Sequence, residues 1–161
     1  MTVDRLSRAL RTIARHLPNQ FKIPLLRFAG MELDARRIGD NVYFDYPRNI
    51  KIGSEVLINS NTCFYAGWGG RIEIGDRVYI GPNCSLCTFT HDVGDAFQRA
   101  GKLHYSNISI EEGVWLGMNV TVLPGVHIAS GCVIAAGSVV VNSTLANGLY
   151  GGVPAKRIKD L

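Results

Sequence analysis

The chain has 161 residues, 47% of them hydrophobic and 19% charged, with 18 glycines and a formal net charge of +4. That is one ordinary domain with a core of its own, and the composition excludes a disordered chain. No run reaches the ~18 apolar residues of a spanning helix, and the modest charge gives no reason to expect a nucleic-acid partner.

Residues 3–17 read as an amphipathic helix. Leu6, Leu10, Ile13 and Leu17 recur at helical intervals on one side, and Arg5, Arg8, Arg11 and Arg15 lie mostly on the other. Such a helix is of the kind that makes weak contact with an anionic membrane surface, but the favoured reading is a cap over the open end of the main domain. A second short segment, residues 21–29, carries Ile23, Leu25, Leu26 and Phe28 and extends that cover. Residues 1–30 are therefore set apart as a helical cap, and residues 31–161 as the main domain.

From Ile38 onward the chain repeats. Ile38, Phe44 and Ile50 keep a six-residue step, Ile52-Gly53 resets it, and Ile58 and Phe64 continue it. The corner Gly67-Trp68-Gly69-Gly70-Arg71 reads as an insertion, after which Ile74, Ile80 and Leu86 resume the pattern. The step is clearest in Ile110, Leu116, Val122, Ile128, Ile134 and Val140. A branched or small residue stands four places after each: Val114, Val120, Val126, Cys132, Ser138 and Thr144. A period of six fits neither a 3.6-residue helix nor a plain alternating strand. It fits short strands joined by tight bends, each pointing an aliphatic at a common axis. Three such units make one triangular coil of about 18 residues, so the array is a parallel β-helix of roughly five coils, ~25 Å tall at the usual strand spacing.

One stretch departs from the repeat. After Thr88-Phe89-Thr90-His91-Asp92 a polar segment, residues 92–107, is ejected as a loop, and a long loop in a compact repeat is more often functional than idle. Residues 146–161 form a tail in which Lys156, Arg157 and Lys159 cluster.

Four cysteines call for a reading. Cys84 and Cys132 hold the small inward position of the repeat, and Cys84-x-x-Cys87 lacks a second pair to complete a zinc site. Buried free thiols, together with a start, Met1-Thr2-Val3-Asp4-Arg5, that has no apolar signal core, lead to the expectation of a reducing, cytoplasmic setting and no bound metal.

The repeats, the Thr90-His91-Asp92 step into the loop, the return at Val114-Trp115-Leu116-Gly117 and the ending Gly152-Val153-Pro154-Ala155-Lys156 together resemble the hexapeptide-repeat acyltransferases. Within them the galactoside and maltose O-acetyltransferases and the enzymes that modify bacterial polysaccharides are most similar. The resemblance runs from about residue 30 to the end. It implies a left-handed coil, acetyl-CoA as acyl donor, a small-molecule or glycan acceptor, and a homotrimer with active sites between subunits.

It also implies roles. His91 matches the family's general base, a task that suits an imidazole because it titrates near neutral pH. Asn61 matches an asparagine that orients the acceptor hydroxyl, although a left-handed corner equally favours asparagine. Trp115 stands where the family has an aromatic beside the CoA arm. Gly117, Ala135, Ala136 and Gly137 would let the pantetheine chain lie against backbone amides, and Lys156 and Lys159 fall where the family places cations near the CoA phosphates. A solvated basic tail is the plainer reading of the two lysines.

The departures bear on the substrate. Val141-Asn142 stands where many sugar acetyltransferases have Thr-Lys, Met118 replaces a usual serine, and the glycine-rich corner at Trp68 replaces an acidic one, which argues against a galactoside acceptor. The rivals are a serine or other small-molecule O-acetyltransferase, a γ-type carbonic anhydrase using His91, His104 and His127, and a non-catalytic scaffold. The first lacks its large helical domain and Asp–His pair here, and the second lacks closely spaced histidines.

Overall fold

A computed structural model of the chain describes residues 17–161. The helix expected over residues 3–17 lies almost wholly outside them.

The main body is a parallel β-solenoid of about five turns with three flat faces. The first face stacks β1 (Glu32–Leu33), β4 (Ile50–Ile52), β7 (Ile72–Ile74), β12 (Ile108–Ile110) and β15 (His127–Ile128). The second stacks β2 (Arg37–Ile38), β5 (Leu57–Ile58), β8 (Tyr79–Ile80), β13 (Trp115–Leu116), β16 (Val133–Ile134) and β18 (Gly148–Gly152), with β19 (Ala155–Asp160) added antiparallel at its edge. The third stacks β3 (Tyr43–Asp45), β6 (Cys63–Tyr65), β9 (Ser85–Cys87), β14 (Thr121–Val122) and β17 (Val139–Val140). Strands this short persist because each hydrogen-bonds to the coils before and after it, and because the residue it points inward is shut from water. Ile80, Leu86, Leu116, Val122, Ile128 and Ile134 are all fully buried, as are the small partners Val114, Val120, Cys132 and Ser138. Each buried aliphatic side chain contributes about 1.5–3 kcal/mol relative to exposure. Phe44 and Phe64 stack with ring centroids 5.0 Å apart in the wider early coils.

The reset at Ile50–Ile52 now has a cause. The three middle strands of the first face, β4, β7 and β12, are three residues long with both ends inward, so Ile50 and Ile52, Ile72 and Ile74, and Ile108 and Ile110 are buried in pairs around exposed or half-exposed centres. The array also begins one face earlier than Ile38, at β1. Leu33 points inward there, but the five-residue step to Ile38 breaks the period that would have revealed it.

Helix α1 (Asn19–Phe28) packs against the first coil. Leu26 joins the core, Ile23 and Leu25 are partly covered, and Phe28 is exposed rather than part of the cover. Lys22 takes the inner position instead: it is buried, its Nζ donates to Gly39 O at 2.7 Å, and desolvation lowers its pKa while Asp40 partly offsets the loss.

Two segments read as irregular are ordered. The ejected loop is an antiparallel hairpin of β10 (Phe89–Val93) and β11 (Ala100–Tyr105). The tail supplies a further second-face strand, β18, before reversing through Val153-Pro154 into β19. Tyr150 carries the inward position there, buried above Ile134. Neither showed as periodicity because the hairpin strands bury almost nothing and the tail strand is built largely of glycines.

Candidate active site

The hairpin leaves the corner between the third and first faces and fixes His91. Pairing sets Phe89 opposite Tyr105 and His91 opposite Leu103, so alternation puts these four side chains on one face of the hairpin. The His91 ring sits in reach of a backbone acceptor: Nδ1 lies 2.8 Å from Gly101 O. A carbonyl only accepts, so the neutral ring carries its proton on Nδ1 and leaves the Nε2 lone pair uncommitted by this bond. His91 is exposed. On the opposite hairpin face His104 Nδ1 lies 3.0 Å from Asp92 Oδ1, a histidine–carboxylate pair that sequence adjacency did not reveal.

A groove of about 440 Å³ runs along the second face and its corner with the third. Tyr79, Trp115 and Val133 supply one side, and Gly81-Pro82, Gly117-Met118 and Ala135-Ala136 the other. Trp115 is 51% exposed and meets Tyr79 edge to face at 6.5 Å. Four residues expected to form a ligand wall, Trp115, Gly117, Ala135 and Ala136, are thus brought together. Gly137 stands just beyond, at a left-handed corner position with φ +72°.

The small size of Gly117 has a cause within the coil itself. A Cβ there would lie 2.6 Å from the Ala136 backbone nitrogen in the next coil, so coil stacking alone requires glycine. The amides of Gly117, Ala135 and Gly137 donate to Ile134, Tyr150 and Met118 carbonyls along the ladder.

Lys156 and Lys159 lie on β19, opposite Gly151 and Leu149. Pairing runs Tyr79–Trp115–Val133–Leu149–Lys159 across the second face, so Lys159 ends the outward row that contains Trp115. Lys156 stands beside Gly151, whose Cβ position is 3.2 Å from the Ala135 side chain. Both lysines are exposed, whereas Arg157 is engaged by Asp160, the Tyr150 hydroxyl and the Leu145 carbonyl. The hydrogen bond to Asp160, then that to Tyr150, raises the Arg157 pKa further.

Asn61 occupies the left-handed corner between the second and third faces, with φ +61°. Asn41, Asn83 and Asn119 hold the equivalent corners of other coils, and Asn61 Oδ1 accepts from Asn41 Nδ2 at 2.9 Å. The corner by itself favours asparagine here. His127 lies on β15 of the first face. Its Nε2 is 3.3 Å from Glu111 and its Nδ1 2.7 Å from Ser109 Oγ. This Ser–His–Glu chain lies on a strand face where nearby amides are already engaged: Ser109 N to Val126 O, His127 N to Ser143 Oγ, Ser130 N to Glu111. None of these three is left as a donor for an oxyanion.

Within one chain, then, His91 and the groove are not brought together. The hairpin springs from one edge of the third face and the groove borders the other, a strand width of roughly 15 Å between them. Among the described residues no group of three histidine, cysteine or acidic side chains could hold a metal ion.

Several groove residues escaped sequence reasoning. Tyr79 precedes Ile80 as Trp115 precedes Leu116, and that shared phase would have placed both aromatics outward on one face. Trp68, outside the groove and weighed in the sequence only through its glycine-rich corner, is 70% exposed and packs on Tyr105 at the foot of the hairpin. The Gly101 carbonyl that orients His91 has no sequence signal, since it depends on hairpin register.

Comparison with known proteins agrees with this layout. Residues 107–142 match the bacterial transferase hexapeptide family (six repeats). The galactoside O-acetyltransferase of Escherichia coli is 35% identical over 120 residues, 74% of this chain and 58% of that one. That of Lactococcus lactis is 34% identical over 133 residues, 76% of this chain and 63% of that one. The chain spans about three fifths of the length of these relatives. Among solved structures, a hexapeptide-repeat acetyltransferase of Vibrio cholerae complexed with acetyl-CoA superposes with a TM-score of 0.89 at 28% identity, covering 99% of this chain and 87% of that one. A galactoside acetyltransferase in complex with coenzyme A gives 0.84 at 28% identity, with 98% and 80% covered. The backbone course is shared along almost the whole length of the chain, and its repeats are those of the bacterial transferase hexapeptide family.

Proposed function

We propose that this protein transfers an acetyl group from acetyl-CoA to a hydroxyl of a sugar or sugar-containing acceptor, in a direct reaction of the two bound substrates. The observation that carries the reading is the imidazole of His91, pinned through Nδ1 to Gly101 O with Nε2 left to accept a proton. The acceptor oxygen attacks the thioester carbonyl carbon as Nε2 takes its proton. The carbon–sulfur bond then breaks, and the imidazolium returns the proton to the departing thiolate. No covalent acyl-enzyme is needed.

The second-face groove suits the donor. Its apolar length fits a pantetheine chain beside Trp115, and Lys156 and Lys159 stand further along the same outward surface, where CoA phosphates would be neutralised. The Ala136 amide, unlike its neighbours at Gly117, Ala135 and Gly137, has no ladder partner among the described residues, and it serves as a donor to the developing oxyanion. The two half-sites meet when the hairpin of one protomer reaches the groove of the next, as in a threefold ring. The sugar O-acetyltransferases similar to this chain support a sugar acceptor.

His91→Ala tests the base. Acetyl transfer, followed by thiol release, is expected to fall by at least 10²-fold, with CoA binding and oligomeric mass unchanged. Near wild-type turnover would refute the mechanism.

A further inference from the structure

Trp68 is a large apolar side chain held in water on a rigid support. It is 70% exposed, yet its ring meets Tyr105 edge to face at 5.3 Å. Tyr105 in turn packs on Phe89 at 5.8 Å. The turn that carries Trp68 is shaped to admit this cluster: a Cβ on Gly67 would stand 2.6 Å from the Tyr105 ring, and one on Gly69 2.8 Å from it. Its backbone is also tied down. Asn49 Nδ2 donates to Gly67 O at 2.8 Å, and Thr88 Oγ1 donates to Ala66 O at 2.6 Å. A mobile or incidental tryptophan needs none of this.

Hairpin register relates Trp68 to His91. Phe89 and Tyr105 share a hairpin face with His91, which is two residues further along β10, an advance of about 7 Å. The Gly67 corner lies against the Phe89 and Tyr105 rings, so Trp68 stands on the same side of the hairpin as the imidazole. The Phe89–Tyr105 and His91–Leu103 rows of the hairpin are thus spaced by about the span of one sugar ring.

We infer that Trp68 is the acceptor platform: the apolar face of a pyranose stacks on its indole, which selects carbohydrate acceptors over small hydroxyl compounds and sets one ring hydroxyl beside His91 Nε2. The C–H bonds on one face of a pyranose carry partial positive charge and meet the electron-rich face of an aromatic ring, while the hydroxyls remain at the rim. A serine or a short alcohol offers no such face. This inference rests on the acetyltransferase reading and narrows its acceptor class.

The chain contains two tryptophans, Trp68 and Trp115, one in each half-site, so each can be observed alone by fluorescence. In Trp115→Phe, methyl β-D-glucopyranoside and related pyranosides are expected to change Trp68 emission saturably, with no response to free serine or glycerol. In Trp68→Phe, CoA is expected to quench Trp115. For turnover, Trp68→Ala should lower kcat/KM for pyranosides at least tenfold, chiefly through KM, with the CoA response retained, and Trp68→Phe should recover part of the loss. Unchanged KM in Trp68→Ala, or emission indifferent to pyranosides that the enzyme does acetylate, would overturn the platform alone. A wild-type protein that binds CoA but acetylates only non-carbohydrate hydroxyls would overturn the acceptor reading as well, before any variant is made.

Discussion

Asn61 has two reasons to be asparagine, and substitution separates them. The corner needs a residue content at φ +61°, which glycine satisfies fully and alanine only at a cost of about 1 kcal/mol. Asn61→Gly should therefore hold the melting temperature near wild type, and Asn61→Ala should lower it slightly. If the amide also orients the acceptor, both variants lose activity to the same degree. Activity that follows stability instead would leave Asn61 a corner residue. Cys84 gives a second residue-scale prediction. Burial pushes its thiol up to about 11, because the thiolate cannot be solvated inside the coil. The unfolded chain ionises this thiol nearer 9, so between about pH 9 and 11 the native state holds the extra proton and stability falls as pH rises. Denaturant melts of wild type and Cys84→Val should show a steeper loss over that window in the wild type, on the order of 2 kcal/mol. Equal slopes would mean that the thiol does not titrate differently in the two states.

At the scale of elements, what the sequence discloses depends on what the period controls. The coils from Ile110 to Val140 were legible residue by residue because every inward position repeats a single steric demand. The hairpin was legible only as an interruption. Its strands are almost wholly exposed, so no buried face advertises β10 and β11. The same blindness hid the orientation of His91: the residue was identifiable from its context, the Gly101 carbonyl that fixes its tautomer was not. The groove was half legible. Trp115 and the small residues of its wall were picked out, the coil-stacking demand on Gly117 was not, and Tyr79 was missed although it occupies the same phase. Lysines 156 and 159 came into relation with the groove only through the β18–β19 register, which no spacing in the tail would yield.

For the molecule as a whole, the proposed meeting of His91 and the groove between two protomers has a genetic corollary. A protein whose active site is assembled from two copies can be damaged in two complementary ways. Ala136→Trp would obstruct the groove while leaving the hairpin intact, and His91→Ala removes the base while leaving the groove intact. Each variant alone should be inactive. Unfolded together and reassembled at equal amounts, random association would give about a quarter of the sites an undamaged groove facing an undamaged histidine. Activity should therefore reappear from two dead parents, and a protein whose sites lie within single chains would show none.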